Sequence, residues 1–391
     1  MSEIKVNSIK GVGASTAAIT VNNTDGTCTA NITNNLSNRN KIINGAMAVH
    51  QRSSSVTGIS NANGYNTADR WSLAMSSGGG TWTNTISTDT PDGFASSYKL
   101  DCTTANGSLA AGDNLIFRQI LEGQDLQDFA KGTSSAKGFI VSFYLKTNKT
   151  GTYVVEVYDN NNSRHVNKSY TVSNTNWNRY TLSFPADTTG AFTNNNLGAL
   201  FVQWWLAAGT TFTSGTLQTS WGSQVNQNRA STLNVNLADN TSNEWYITGV
   251  QLEVDHTGSG VATDFEHRSF GQELALCQRY FQTLGGVSTS DLFAVATGNG
   301  SGTVTSFYKA PVTFRAVPSY SYSALGNINI YDFAASASRG SPTSSSLITS
   351  LSGKDWIYID STGMSSTTAG ATHMFRADST TAARFNLSAE L

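Results

Sequence analysis

The residues best suited to chemistry in this chain are scattered. His50, His165, His256, His267 and His373 show no HExxH or related ligand spacing. Asp264, Glu266 and His267 could converge on a metal, but their spacing is equally that of a polar strand edge. No Gly-x-Ser-x-Gly elbow occurs. Gly298-Asn299-Gly300-Ser301-Gly302 lacks both the later glycine of a dinucleotide loop and a following helical pattern, so it reads as a turn. Paired carboxylates for glycoside cleavage meet only in space. With 26 acidic residues in 391, a polysaccharide depolymerase is the weaker enzymatic alternative, and the expectation is a non-enzyme without cofactor or metal.

The aromatic and amide inventory is richer. Sugar recognition needs flat aromatic faces for the C–H side of a ring, and amide or carboxylate partners for hydroxyls. Trp82, Trp177, Trp204, Trp205, Trp221 and Trp245 supply the former, and Asn and Gln abound. Trp204 and Trp205 are adjacent in a strand pattern, so their side chains leave opposite faces. One belongs to a core; Trp205 is then on the outer face, at a protomer contact or stacked on a ligand. Tyr158, Asn160, Asn161 and Asn162 fall at a loop tip. Trp205, Tyr158, Asn161 and Trp221 are therefore the candidate ligand-binding residues.

Elements that could position them are almost all strands. Charged residues make up only 13% of the chain, about half the usual share. Ser, Thr, Asn and Gly carry the polarity instead. Phe139 to Lys146 is nearly continuous apolar sequence, as in a central strand buried on both faces. Tyr153, Val155 and Val157 alternate with Val154, Glu156 and Tyr158, and Leu200, Val202, Trp204 and Leu206 share one face. A brief helical turn fits Asp125 to Lys131. Short strands separated by Asn/Gly turns argue for a sandwich or barrel over residues 41–268. Trp245 to Val254 reads as its last strand.

The period then changes. Ser269 and Gln272 have capping-box spacing, and Leu274, Cys277, Phe281 and Leu284 recur at helical intervals before Gly285 and Gly286. This predicts a connector helix over 269–285. Residues 286–391 read as a second, smaller β domain, with strands at 293–295, 304–308, 312–314, 320–322, 328–330, 355–359 and 384–387. The Ser/Thr/Gly stretches at 336–346 and 361–372 read as loops. Residues 1–40 hold two or three short strands, with Ile4, Val6, Ile19 and Val21 as candidate docking positions. That is too little apolar surface to fold alone. Cys28, Cys102 and Cys277 are odd in number, and Cys277 reads as a packed thiol.

Partner classes follow from charge. Net charge is −2, with no Lys/Arg run to attract nucleic acid. The longest apolar run is about ten residues where a spanning helix needs about 20, so no membrane insertion is expected. The first residues lack a hydrophobic signal core.

Several segments also carry a resemblance. Gln251-Leu252-Glu253, Ala262 to Glu266 and Glu273 to Tyr280 resemble the end of the carbohydrate-binding-module-like jelly roll of bacteriophage fibre proteins, a group well represented in marine phages. Asn44 to Met47 with Gln51-Arg52 resembles its opening strand, and Asp69-Arg70-Trp71 its second. Gln119 to Gly123, followed by Phe139 to Lys146, resembles its middle. This chain has Asp264 where the family often has Pro. The resemblance implies a mostly β virion protein assembled in the host cytoplasm: a jelly-roll sandwich, a connector helix and a C-terminal tip. It implies homotrimers, docking to other virion proteins through residues 1–40, and attachment to host cell-surface glycan as a tail fibre or adhesin. The alternative is a capsid- or neck-attached structural fibre without a receptor role.

Overall fold

A computed structural model describes residues 6–12, 17–22, 24, 26, 28–30, 37–61, 63–76 and 78–391. Ile4 lies outside the described residues. Ser8–Ile9, Ile19–Val21 and Cys28–Ala30 form a small antiparallel sheet in that order. Val6 and Ile9 are exposed, while Ile19 and Val21 are half-buried.

The main body is a jelly-roll sandwich of two antiparallel sheets. One has six strands, in the order Asn178–Phe184, Gly138–Thr147, Glu244–Asp255, Ser97–Thr104, Thr81–Ser87 and Ser55–Ile59. The other has seven: Gly222–Ser223, Arg164–Val172, Gly151–Asp159, Gly198–Ala208, Asn114–Glu122, Ser72–Met75 and Asn63–Tyr65. Alternation along each strand sends one set of side chains between the sheets. Trp71 stacks on Phe117 at 4.6 Å, and Trp204 and Trp245 close round the same ring. Tyr153, Val155, Val157 and Leu252 fill the remainder. The expected turn near 125–131 is a 3₁₀ helix, Gly123–Phe129, that inserts Leu126 and Phe129 into this core.

The connector helix is shorter than its periodicity predicts. It spans Phe270–Gln278, with Ser269 as N-cap and a reciprocal capping box to Gln272. Cys277 is buried as expected. Phe281 and Leu284 do not continue the helix: Phe281–Gly285 is a strand, paired with Arg384–Ser388. The apolar spacing over Phe281-Gln282-Thr283-Leu284 fits either period, and a strand about a hundred residues later decides between them.

Phe281–Gly285, Arg384–Ser388 and Ser319–Tyr322 form a three-stranded sheet. It packs with a seven-stranded sheet in the order Ala337–Ser338, Ile328–Asp332, Thr372–Ala377, Leu292–Gly298, Thr303–Lys309, Trp356–Thr362 and Ser344–Leu347. Ala337–Ser338 and Ser344–Leu347 depart from the loop expected over 336–346; residues 363–371 lie outside any strand as expected, and Thr372–Ala377 is a strand that the pattern did not mark. Val312 and Phe314 lie outside any strand, though Phe314 is fully buried. Among the described residues no helix is long and apolar enough to cross a membrane.

The motifs that carry the fibre-protein resemblance converge in space. Asn44 is not in a strand; it sits at φ 58° and ties three segments together. Its amide donates to the Val49 and Asp69 carbonyls at 2.7 and 3.0 Å, and Trp71 Nε1 donates to the Asn44 carbonyl at 2.9 Å. Its main-chain N–H donates to Glu273 at 2.5 Å. Gly45 is obligatory here, because a Cβ would lie 2.1 Å from the Val250 carbonyl oxygen. Gln119 clasps both polar groups of the Ile43 backbone at 2.8 Å. Glu253 and Gln251 accept from the main chain of Thr263 and Glu266 at 2.9 and 2.8 Å, laying that segment across the six-stranded sheet.

Arg70, fully buried, lies between the Tyr280 ring at 3.5 Å and Glu390, near the chain's last residue. Arg52 bonds both Asp69 and Glu390, at 3.2 and 2.9 Å. Arg279 holds Glu122 in a bidentate pair at 2.9 and 2.8 Å. The motif residues thus lock the sandwich to the helix and the C-terminal domain.

Candidate functional site

The outer face of the seven-stranded sheet carries two of the four expected ligand residues, Trp205 and Tyr158. Along Gly151–Asp159, Val154, Glu156 and Tyr158 point away from the core. Register sets Val154 opposite Trp205, Glu156 opposite Gln203, and Tyr158 opposite Phe201. On the next strand, Ile116 faces Trp205, Arg118 faces Gln203 and Ile120 faces Phe201.

Half of this face is roofed. Residues 209–235 fold back over Trp205: Phe212 lies 5.1 Å from its ring and the Arg229 guanidinium 4.9 Å. Trp205 does leave the core side, as alternation requires, but it is completely buried beneath this flap. In this conformation it offers no face to a ligand. Glu156 lies under the same roof with no solvent exposure. Its carboxylate accepts from Arg229 Nε and Nη2 at 2.9 and 3.0 Å, Gln203 Nε2 at 3.0 Å and Trp205 Nε1 at 2.9 Å, with His165 Nδ1 at 3.1 Å. Burial alone would push this carboxyl up; the Arg229 charge, with the His165 contact, outweighs it and holds the group below its usual range. Asn167, next along the sheet, donates to the flap carbonyl of Asn228 at 2.9 Å. So saturated a carboxylate has no lone pair free for acid–base work; it anchors the flap.

The other half of the face is open. Tyr158 and Phe201 are half-buried and meet edge to face at 5.7 Å. The Arg118 guanidinium stands 5.5 Å from the Phe201 centroid. It makes no ion pair with any described carboxylate, and burial, then the like charge of Arg229, ease its pKa down from the usual guanidinium value. Two aromatic faces and a cation free of carboxylates thus share one end of the sheet. Phe201 and Arg118 escape sequence reasoning because only register reveals them as neighbours of Tyr158.

Asn161 is exposed in the turn that follows Tyr158. Asp159 fixes this turn by accepting from the Asn161 and Asn162 main chain at 2.9 and 3.1 Å. Asn161 Oδ1 is occupied by the Thr193 N–H at 3.1 Å. Trp221 lies apart from these, at the rim of the flap. It is half-buried, donates to the Pro185 carbonyl at 2.9 Å and has Lys131 5.0 Å from its ring. Lys131 is itself buried against Asp159 and Asp187 at 2.6 and 3.0 Å.

Among the described residues no group of three His, Cys, Asp or Glu could hold a metal. Glu266 is instead engaged with the main-chain N–H of Asn38 and Asn40.

No protein-family model matches the sequence, and neither does any curated protein. Solved structures show faint likeness. The enzymatically active domain of tailspike protein 4 of bacteriophage CBA120 aligns with TM-score 0.28 and 14% identity, covering 51% of this chain and 21% of that one. The chain thus spans about a fifth of the length of that tailspike. A family 11 carbohydrate-binding module of Clostridium thermocellum, in complex with a β-1,3-1,4-mixed-linked tetrasaccharide, gives 0.25 and 10%, covering 55% and 99%. The C-terminal family 22 carbohydrate-binding module of Clostridium thermocellum Xyn10B gives 0.26 and 13%, covering 50% and 98%. At these values no argument about ligand or activity follows, and the jelly-roll assignment stands on strand order and register.

Proposed function

We propose that this protein is a structural fibre protein of a bacteriophage particle, a non-enzymatic adhesin that holds host surface glycan through the open half of the sandwich face. The observation that carries the glycan reading is the row of Tyr158, Phe201 and Arg118, two half-open rings beside a guanidinium that no described carboxylate neutralises. Ring faces stack on the C–H side of a pyranose, and a guanidinium forks onto hydroxyls or a sugar carboxylate. The particle reading is supported by the fibre-protein motifs and by the N-terminal strands. Those strands are two or three residues long, and apolar Ile9 in the first of them, with Val6 just before it, is exposed. Such a sheet gains stability only from a further partner, which is the role of a docking segment in a homo-oligomeric fibre. Several weak sites on one rigid fibre raise avidity about 10²–10⁴-fold over a single one.

The test is retention of the intact chain on host surface polysaccharide. Tyr158→Ala, Phe201→Ala and Arg118→Gln are expected to lower retention at least about tenfold each, about 1.4 kcal/mol. Trp205→Phe leaves it unchanged while the flap stays closed. Normal retention by all three variants, with particles still incorporating the protein, would leave a structural fibre without receptor role.

A further inference from the structure

The outer face of the C-terminal seven-stranded sheet carries a stripe that only register makes visible. Ala296, Val304, Ile357, Ile359 and Phe375 point inward to the domain core, so their neighbours in each strand point out. Tyr331 lies opposite Met374, Met374 opposite Val295, Val295 opposite Phe307 and Phe307 opposite Tyr358. Five adjacent strands thus contribute one apolar residue each to a continuous line. Phe307 and Tyr358 meet edge to face at 5.4 Å. Val295 and Phe307, at its centre, are 46% and 43% exposed.

The rows flanking the stripe differ in character. On one side run Thr372, Thr297, Thr305 and Asp360, mutually opposite across their strands. On the other side lie Arg376, Leu292, Lys309 and Trp356, Leu292 and Trp356 being 48% and 50% exposed. Arg376 stands 5.7 Å from the Tyr331 ring and pairs with no carboxylate among the described residues. Lys309 has a loose contact with Asp355 at 3.7 Å, both side chains being about half exposed, and stands 5.4 Å from the Trp356 ring.

We propose that this face docks onto the same face of a second copy of the chain, about a two-fold axis running along the stripe. Charge selects that axis. A two-fold along the stripe lays apolar residues on apolar residues and exchanges the flanking rows, so Lys309 of one copy meets the Asp360 row of the other. A two-fold along the strand direction through Val295 would instead set Arg376 against Lys309, like charge on like. An isologous contact with an apolar centre and a polar rim is the usual anatomy of a homodimer.

Strands about 4.8 Å apart and rows about 6.8 Å apart give the three rows a footprint on the order of 500 Å² per copy. The total, about 1,000 Å², is at the lower limit of specific interfaces. The pairing is therefore weak, with a micromolar Kd, and concentration-dependent. It is independent of the glycan reading, and its two-fold differs from the threefold body that the fibre resemblance implies.

Sedimentation velocity of the full chain from about 1 to 200 µM tests it. The expected result is a monomer–dimer equilibrium that Phe307→Ser abolishes. Lys309→Glu and Asp360→Lys each weaken it at least about tenfold, and the double variant restores it to within about threefold. Lys309 is exposed, so its replacement leaves the core intact even if Phe307→Ser perturbs folding; unchanged melting temperatures verify this. A monomer throughout, a trimer, association indifferent to Phe307→Ser, or a double variant as weak as the single ones overturns the proposal.

Discussion

Glu156→Ala is the sharpest test of how the sandwich face is built. The side chain is wholly buried and binds Arg229, Gln203, Trp205 and His165 at once. Removing it strands the Arg229 guanidinium, and loss of one member of such a pair costs about 3–5 kcal/mol. The freed Trp205 and Gln203 donors overlap with that figure rather than adding to it. The loss falls on the flap, because Arg229 belongs to residues 209–235, whereas the sheet beneath keeps its own ladders. Opening of the flap should therefore become about 10²–10⁴ times easier while the core opens as before.

Hydrogen exchange reads this directly. The Ala230 amide, bonded to the Phe212 carbonyl at 2.9 Å, and the Gln224 amide, bonded to the Ser163 carbonyl at 2.9 Å, should lose about that factor of protection. Amides of Gly138–Thr147 should change by no more than a few-fold. Trp205 should become accessible to a collisional quencher. If flap protection falls less than about threefold, the carboxylate is not the anchor and the reasoning fails. In the wild type, the depressed folded pKa of Glu156 means its contribution is present above the unfolded value, near 4.5, and is lost as pH falls through the folded value.

Two further expectations concern the junction. Glu390→Ala leaves fully buried Arg70 without its carboxylate and should cost about 3–5 kcal/mol, splitting the calorimetric transition into separate sandwich and C-terminal steps; a single unsplit transition within about 1 kcal/mol of wild type would contradict this. Asp69, pushed up to about 6 by burial against the pull of Arg52, binds its proton more tightly folded than unfolded. Its contribution to stability is therefore greatest at acid pH and falls between about pH 4 and 6. Denaturant titrations of wild type and Asp69→Asn should diverge across that window, and parallel curves would refute the assignment.

Much of this was legible from local pattern. The switch from period two to 3.6, the Ser269 and Gln272 box, and the opposed directions of Trp204 and Trp205 are properties of residues a few positions apart, and the backbone alone imposes them. So is the mostly β character, because alternation needs no partner to be seen. What local pattern leaves open is what lies across from each strand. Phe281 and Leu284 satisfy a helix as well as a strand until Arg384–Ser388 arrives to pair with them. Trp205 is outward by geometry, yet whether it meets solvent or a roof depends on Arg229 reaching Glu156, 73 positions away in the chain. Arg118 and Phe201 become partners of Tyr158, and Val295 of Phe307, only through register. A burial or a site made by chain segments far apart costs loop entropy that tertiary contacts alone repay, and so it has no signature in any single stretch of sequence.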